Sequence, residues 1–215
     1  MKNIAIYGAG GFGREVACLL RKINEVSPTW NFVGFFDDGV PAGTQTSRGE
    51  ILGGTETLNA VSEPLALAFA IADPQVLKKL VAGIRNPRIE FPNLIAPDVH
   101  FHDRASVKWG CGNIINTRSA ISCDCVFGNF NLSVFDNIFG HDSRIGDFNI
   151  FFTGTRISGN VTIGQGNVFG AGTTILQNLK IGNGNTIAAA SLLVTPVANN
   201  ASYIGVPATK FNFKK

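Results

Sequence analysis

Charge is scarce in this 215-residue chain: Asp, Glu, Lys and Arg together make up 15% of it, against 45% apolar residues. That balance excludes a charged disordered tail and a coiled coil, both of which need far more charge. No run of about 18 apolar residues occurs, so no membrane-spanning helix is expected. Met1-Lys2-Asn3-Ile4 leads straight into an apolar stretch without the basic, apolar and cleavage regions of a secretory signal, so a cytoplasmic location is expected. Cys18, Cys111, Cys123 and Cys125 follow no zinc-ligand spacing and read as the reduced thiols of that compartment. A basic stripe is also missing. Residues 1–97 carry 9 basic and 9 acidic side chains, and residues 98–215 carry 9 and 6, with Lys210, Lys214 and Lys215 near the end. A nucleic-acid footprint is thereby excluded, and the basic terminus reads as solvated or, alternatively, as a phosphate contact.

What the chain has in abundance is order at a fixed spacing. Stepping by six from Trp109 meets Ile115, Ile121, Phe127, Ser133, Phe139, Ile145, Phe151, Ile157, Ile163, Phe169, Ile175, Ile181, Ile187 and Leu193. Only Ser133 is not large and apolar. A period of 18 lies inside the six: Asn113, Asn131, Asn149, Asn167 and Asn185 form one series, and Gly110, Gly128, Gly146, Gly164 and Gly182 another. Three hexads per unit, repeated five times, describe a triangular solenoid of short strands and corners, with coils stacked at about 4.8 Å. Stacking predicts a ladder of Asn amides. It also predicts a glycine corner where neither a side chain nor a negative φ would fit.

The first half reads as a small α/β unit. Ile4–Tyr7 is a buried strand that runs into Gly8-Ala9-Gly10-Gly11-Phe12-Gly13, a G-x-G-x-x-G turn, followed by a helix from Arg14 to Ile23. A second strand, Phe32–Phe36, ends at Asp37-Asp38. A third spans Leu65–Ile71, a helix runs from Pro74 to about Ala82, and Ile89–Phe91 is a further strand. Such a glycine turn aims backbone N–H groups and a helix N-terminus at an anion. A nicotinamide dinucleotide is one candidate ligand. With only half a dinucleotide fold before the repeat begins, a nucleoside diphosphate fits better, and a turn used only for packing is the remaining alternative. The expected division is an α/β Rossmann-like nucleotide-binding domain at 1–94 and a parallel β-helix at 95–215.

The hexad grammar resembles the hexapeptide-repeat, left-handed parallel β-helix family, and that resemblance supplies the handedness. Ile204-Gly205-Val206-Pro207-Ala208 is similar to the close of its acyltransferase members. The combination of glycine loop, Phe35-Phe36-Asp37-Asp38 and β-helix resembles the PglD/NeuD-like bacterial sugar acyltransferases across essentially the whole chain. The resemblance implies a homotrimer with active sites between subunits. It also implies acetyl transfer from acetyl-CoA to a sugar, often the 4-amino group of a UDP-linked amino sugar destined for surface glycans. Gly10, Gly11 and Phe12 would then wrap the phosphates, while Asp37 and Asp38 would face uracil and ribose. His141 takes the place of the catalytic base and Asp142 that of the carboxylate that tunes it. Ile150, Ala171 and Ala189 match positions that touch acetyl-CoA. Ala72 stands where a glycine commonly meets the substrate, Asp142 where Glu is frequent, and Ile150 where His is frequent. Acylation of a sugar hydroxyl, as on sialic acid, and a nucleotide-binding scaffold without catalysis are the competing functions.

The residues support this chemistry independently. Acyl transfer needs a base for the acceptor's proton, and imidazole titrates at about 6.5, near working pH. His141 is the one histidine within the hexad series, and Asp142 beside it could hold the tautomer. Stacking places Asp124 and Asn160 below and above Asp142, and Cys123 and Gly159 around His141. Gly159 is expected to leave room for substrate. Small Ala171 and Ala189 share a column along which a pantetheine arm could lie. Cys123 as a nucleophile and a zinc hydratase built on His100, His102 and His141 are rival mechanisms; the second needs three converging histidines that the spacing does not provide.

Overall fold

The structure is a computed structural model that describes residues 1–212. Lys214 and Lys215 of the basic terminus lie outside the described residues. The chain divides into two compact units at Pro97/Asp98.

The first unit runs β1 (Lys2–Tyr7), α1 (Gly11–Val26), β2 (Trp30–Phe36), β3 (Ile51–Gly53), α2 (Thr55–Asn59), β4 (Leu65–Phe69), α3 (Pro74–Gly83) and β5 (Ile89–Glu90). The sheet order is β3-β2-β1-β4-β5, with every pair parallel. The last four residues of β1 and all of β4 are buried. Such continuous apolar runs are what central parallel strands require. Helix α1 buries Val16, Leu19 and Leu20, one face at helical spacing. Strand order reverses between β1 and β4, the switch point at which open α/β sheets bind ligands beyond the carboxyl ends of their strands. The sequence reading holds no counterpart of β3 or α2, because three and five residues are too short for either periodicity to register. The strand expected to be third is therefore β4, and it ends at Phe69.

The second unit is a left-handed parallel β-helix built from two-residue strands. Three parallel sheets form its faces. On one, Ile121, Phe139, Ile157, Ile175 and Leu193 pair in succession; on the next, Trp109, Phe127, Ile145, Ile163 and Ile181; on the third, Ile115, Ser133, Phe151, Phe169 and Ile187. Each step is 18 residues. All these side chains except Trp109 are buried at 3% exposure or less. Fully burying one such side chain is worth about 1.5–3 kcal/mol. The aromatic ones form a continuous contact, with Trp109 stacked on Phe127 at 4.5 Å and Phe151 on Phe169 at 5.0 Å. Ser133, the break in the apolar series, accepts a 2.8 Å bond from Asn137 Nδ2, which also donates to the Phe151 carbonyl. One strand precedes the regular series: His100–Phe101 pairs with Ala120–Ile121 at a spacing of 20, because the 3₁₀ turn Arg104–Ser106 adds two residues. The Arg104 guanidinium lies 4.7 Å above the Phe101 ring.

The predicted Asn ladder is present. From Asn131 to Asn185, each backbone N–H and each Nδ2 donates to Oδ1 of the Asn one coil earlier, all within 3.1 Å and all buried. A second ladder, absent from the sequence reading, runs in the opposite sense outside: Cys111 N–H donates to Asn129 Oδ1, and Asn129 N–H to Asp147 Oδ1.

The glycine column needs correction. Gly110, Gly128, Gly146, Gly164 and Gly182 do not have left-handed φ. They are required because an added Cβ would meet the backbone of the next coil, 2.5 Å from the Gly128 carbonyl oxygen in the case of Gly110 and 2.6 Å from that of Gly164 in the case of Gly146. Left-handed φ falls two residues later, at every sixth residue from Gly112 to Ala190, and nine of those fourteen corners are not glycine. For a side chain this conformation costs roughly 1–2 kcal/mol, offset here by the bonds that the corner N–H groups from Phe130 to Ala190 donate to the carbonyl 19 residues earlier.

Asn149→Ala removes the acceptor of the buried Asn167 N–H and the donor to the half-buried Gly164 carbonyl. We expect a loss of about 3 kcal/mol in urea unfolding, since each stranded group costs about 1–3 kcal/mol.

Candidate active site

Two places in the chain concentrate polar groups that the fold leaves available. The first is the glycine turn after β1. Gly8 has φ +101° and lies 2.9 Å, by an added Cβ, from the Ala70 carbonyl oxygen, while a Cβ on Gly13 would overlap the Gly8 carbonyl. Packing explains both glycines. A Cβ on Gly10 would meet nothing within 4 Å, and one on Gly11 only the Arg14 guanidinium at 3.9 Å. These two open their backbone to solvent instead. Gly10 is the N-cap of α1; it provides no side-chain cap, and no acidic residue follows in the first turn. The N-terminus of α3, by contrast, is capped by Asp73, which accepts from Gln75 and Val76. The unsatisfied N–H groups at the start of α1, with the positive end of its dipole, suit an anion. Phe12 is half-buried beside them, and Ala72 is exposed in the loop after β4.

Asp37 and Asp38 end β2. Asp37 accepts from Ala9 N–H at 2.9 Å and from Gly39 N–H at 2.9 Å. Asp38 accepts from the Tyr7 hydroxyl, Thr55 N–H and the Thr55 hydroxyl at 2.6, 2.7 and 2.9 Å. The pair expected to face uracil and ribose is thus largely engaged within the chain.

The second place is a corner of the β-helix. The strand Ile138–Phe139 leads through Gly140 to His141, and Asp142 turns the corner at φ +59°. That turn brings its carboxylate back to the ring: His141 Nδ1 and Asp142 Oδ2 are 2.8 Å apart, with both side chains about 60% exposed. A carboxylate only accepts, so Nδ1 carries a proton, and in the neutral ring Nε2 then holds the lone pair. The corner is clamped from both sides, Asp142 N–H donating to the Cys123 carbonyl and Asn160 N–H to that of His141. Gly159 leaves room for the imidazole itself rather than for a substrate: a Cβ there would overlap Nε2 and stand 2.5 Å from Cε1. The ring is seated on the next coil.

Ala171 and Ala189 are exposed in one column, next to the corner residues Gly172 and Ala190. That edge differs from the one formed by Asp124, Asp142, Asn160 and Asn178. Ile150 is 0% exposed, so its side chain is not offered to a ligand. Cys123 is half-buried below His141, and burial pushes the Cys125 thiol up to about 11. The His100 and His102 rings meet edge-on at 5.4 Å. Among the described residues no three His, Cys, Asp or Glu side chains are grouped to hold a metal ion.

Comparison with known proteins agrees with the fold of the two units. Residues 3–84 match the PglD N-terminal domain family. The acetyltransferase domain of PglB from Neisseria gonorrhoeae superposes with a TM-score of 0.89 at 22% identity, covering 98% of this chain and all of that one. WeeI from Acinetobacter baumannii gives 0.85 at 26%, covering 98% and 100%. PerB from Caulobacter crescentus, solved with CoA and GDP-perosamine, gives 0.81 at 21%, covering 99% and 98%. No curated protein matches the chain in sequence. A Rossmann-like module followed by a hexapeptide β-helix is the fold shared with these proteins. Over residues 3–84 the chain is similar to that N-terminal domain family, and over nearly its whole length it shares the fold of the three proteins above.

Gly159→Ala should move the imidazole by at least about 1 Å, the gap between 2.5 Å and an ordinary carbon contact of about 3.5 Å. A crystal structure of the variant with the ring unmoved would contradict the seat.

Proposed function

We propose that this chain transfers acetyl from acetyl-CoA to the amino group of a nucleotide-linked sugar used in surface glycan synthesis, with His141 as general base. The hydrogen bond from His141 Nδ1 to Asp142 carries the reading, because it leaves Nε2 as a free acceptor at an exposed corner. Nε2 takes the proton of the acceptor amine as its nitrogen attacks the thioester carbonyl. The C–S bond breaks, and the imidazolium returns the proton to the departing thiolate. Asp142 stabilises the imidazolium while it lasts.

The open backbone of Gly10, Gly11 and Phe12 would take the diphosphate, with Ala72 bordering it. PerB was solved with a GDP-linked sugar, so GDP joins UDP as a candidate carrier. Ala171 and Ala189 would lie along the acyl donor. His141 and that column occupy different edges of one β-helix, which supports a homotrimer whose sites each join the base edge of one copy to the donor edge of another. The described helices include none long and apolar enough to cross a membrane. The four free thiols suit the reducing cytoplasm, where we place the reaction.

Acetyl-CoA mixed with UDP- or GDP-linked 4-amino sugars should release free CoA thiol. His141→Ala should lower kcat by about 10²–10⁴ without lowering the melting temperature; full activity in that variant would overturn the reading, and a scaffold would release no thiol at all. The shared site has its own test. Oligomers reassembled from equal amounts of His141→Ala and Ala171→Trp chains should recover about a quarter of wild-type activity, since one base–donor pairing in four is intact. Chains that each build a complete site would recover none.

A further inference from the structure

The carboxylates at the end of β2 belong to a connected set of hydrogen bonds that begins at a buried tyrosine. Tyr7, the last residue of β1, is 2% exposed, and its hydroxyl lies 2.6 Å from both Asp38 Oδ2 and Thr55 Oγ1. Thr55 opens α2 and adds its N–H to Asp38 Oδ1. Three of the roughly four acceptor directions of the Asp38 carboxylate are thereby used, leaving one for a ligand. Asp37, the next residue in the chain, holds Ala9 N–H, and Ala9 is the residue before the open Gly10. Tyr7, Thr55, Asp38, Asp37 and Ala9 thus link three separate segments to the glycine loop.

The Tyr7 hydroxyl is not needed for packing. Its ring meets Phe69 at 5.4 Å, a contact that phenylalanine would make equally well. The hydroxyl's use is therefore the bond to Asp38 and Thr55. Gly54 has the same meaning, since a Cβ there would overlap Asp38 Oδ1. Burial raises the Tyr7 phenol above its usual range, and the Asp38 bond adds to this. The Tyr7 hydroxyl, followed by Thr55 N–H, holds the Asp38 carboxyl below the usual carboxylate range. Donor and acceptor consequently keep their roles across neutral pH.

We propose that Tyr7 and Thr55 are positioning residues of the nucleotide-sugar site: acting through Asp38 and Asp37, they hold Ala9 so that the Gly10–Phe12 backbone is preshaped for a diphosphate. Asp38 on this account organises the site rather than reading the base and ribose. A loop shaped before binding spares the ordering cost at the moment of binding. The ligand rests on the function proposed above, whereas the bond network can be tested without it.

Tyr7→Phe, Thr55→Val, Thr55→Ser, Asp38→Asn and the Tyr7→Phe/Asp38→Asn double variant are compared with wild type in two measurements. Calorimetry with UDP and with GDP reads diphosphate affinity, and amide hydrogen exchange by NMR reads the Ala9 N–H. Tyr7→Phe and Thr55→Val should each weaken binding of whichever diphosphate the wild type takes by about three- to tenfold, and should speed exchange at Ala9. Thr55→Ser should restore both, and the double variant should bind no more weakly than Asp38→Asn. Unchanged exchange at Ala9 in Tyr7→Phe and Thr55→Val would overturn the proposal. So would additive losses in the double variant, which would make Asp38 a direct ligand contact. If wild type binds neither UDP nor GDP, the nucleotide reading fails, and exchange at Ala9 alone decides the network.

Discussion

The second unit depends on one constraint: each coil of 18 residues bonds directly onto the next, in a register that the buried Asn ladder does not allow to slip. A shift of one residue would carry Asn149 out of reach of Asn131 and leave buried amides and carbonyls without partners, at about 1–3 kcal/mol for each. The apolar stack follows the same register. With the register held, each residue belongs to a column, and its neighbours above and below are those 18 positions away.

The His141 corner is a local use of that constraint. Asp142 reaches back to His141 because the backbone at 142 is left-handed, a conformation the β-helix imposes at every sixth residue, whatever the side chain. The ring then rests on Gly159 because stacking brings that residue against it. Rigid placement of the ring thus comes from backbone hydrogen bonds between coils, with little need for packing around an exposed imidazole. In the first unit the corresponding economy is in glycine. Gly8 and Gly13 close the turn tightly, and Gly10 and Gly11, unconstrained by neighbours, leave N–H groups facing outward.

Where residue spacing and coordinates diverge, the cause lies in each case in short or non-periodic features. Strand β3 and helix α2 are below the length at which a period can be recognised. The strand His100–Phe101 was hidden by two extra residues in the turn Arg104–Ser106, which shift its phase against the hexads that follow. The glycine column was located correctly and its lack of room for a side chain holds, but the expected left-handed φ does not, because a spacing of 18 does not distinguish a close approach from a backbone conformation. Gly159 was placed beside His141 correctly, yet only the ring's direction shows that the imidazole occupies the space. Ile150, matched by resemblance to a position that touches acetyl-CoA, is buried. Asp37 and Asp38 stand where a ligand-reading pair is expected, and their engagement by Ala9, Tyr7 and Thr55 involves partners up to 31 residues away that no local pattern connects.

The sequence by itself determined the solenoid, its coil length, the Asn ladder, the apolar stack, the glycine turn after the first strand and the adjacency of His141 to Asp142. Each is a repeat or a neighbour relation, and hydrophobic burial and hydrogen bonding act on such relations directly. Tertiary structure alone decided which glycines face open space, which nitrogen of His141 meets Asp142, that His141 and the small-residue column lie on different edges, and that the Asp38 carboxylate is occupied. Those properties depend on the direction of a side chain and on contacts between distant segments, and the period of a sequence carries neither.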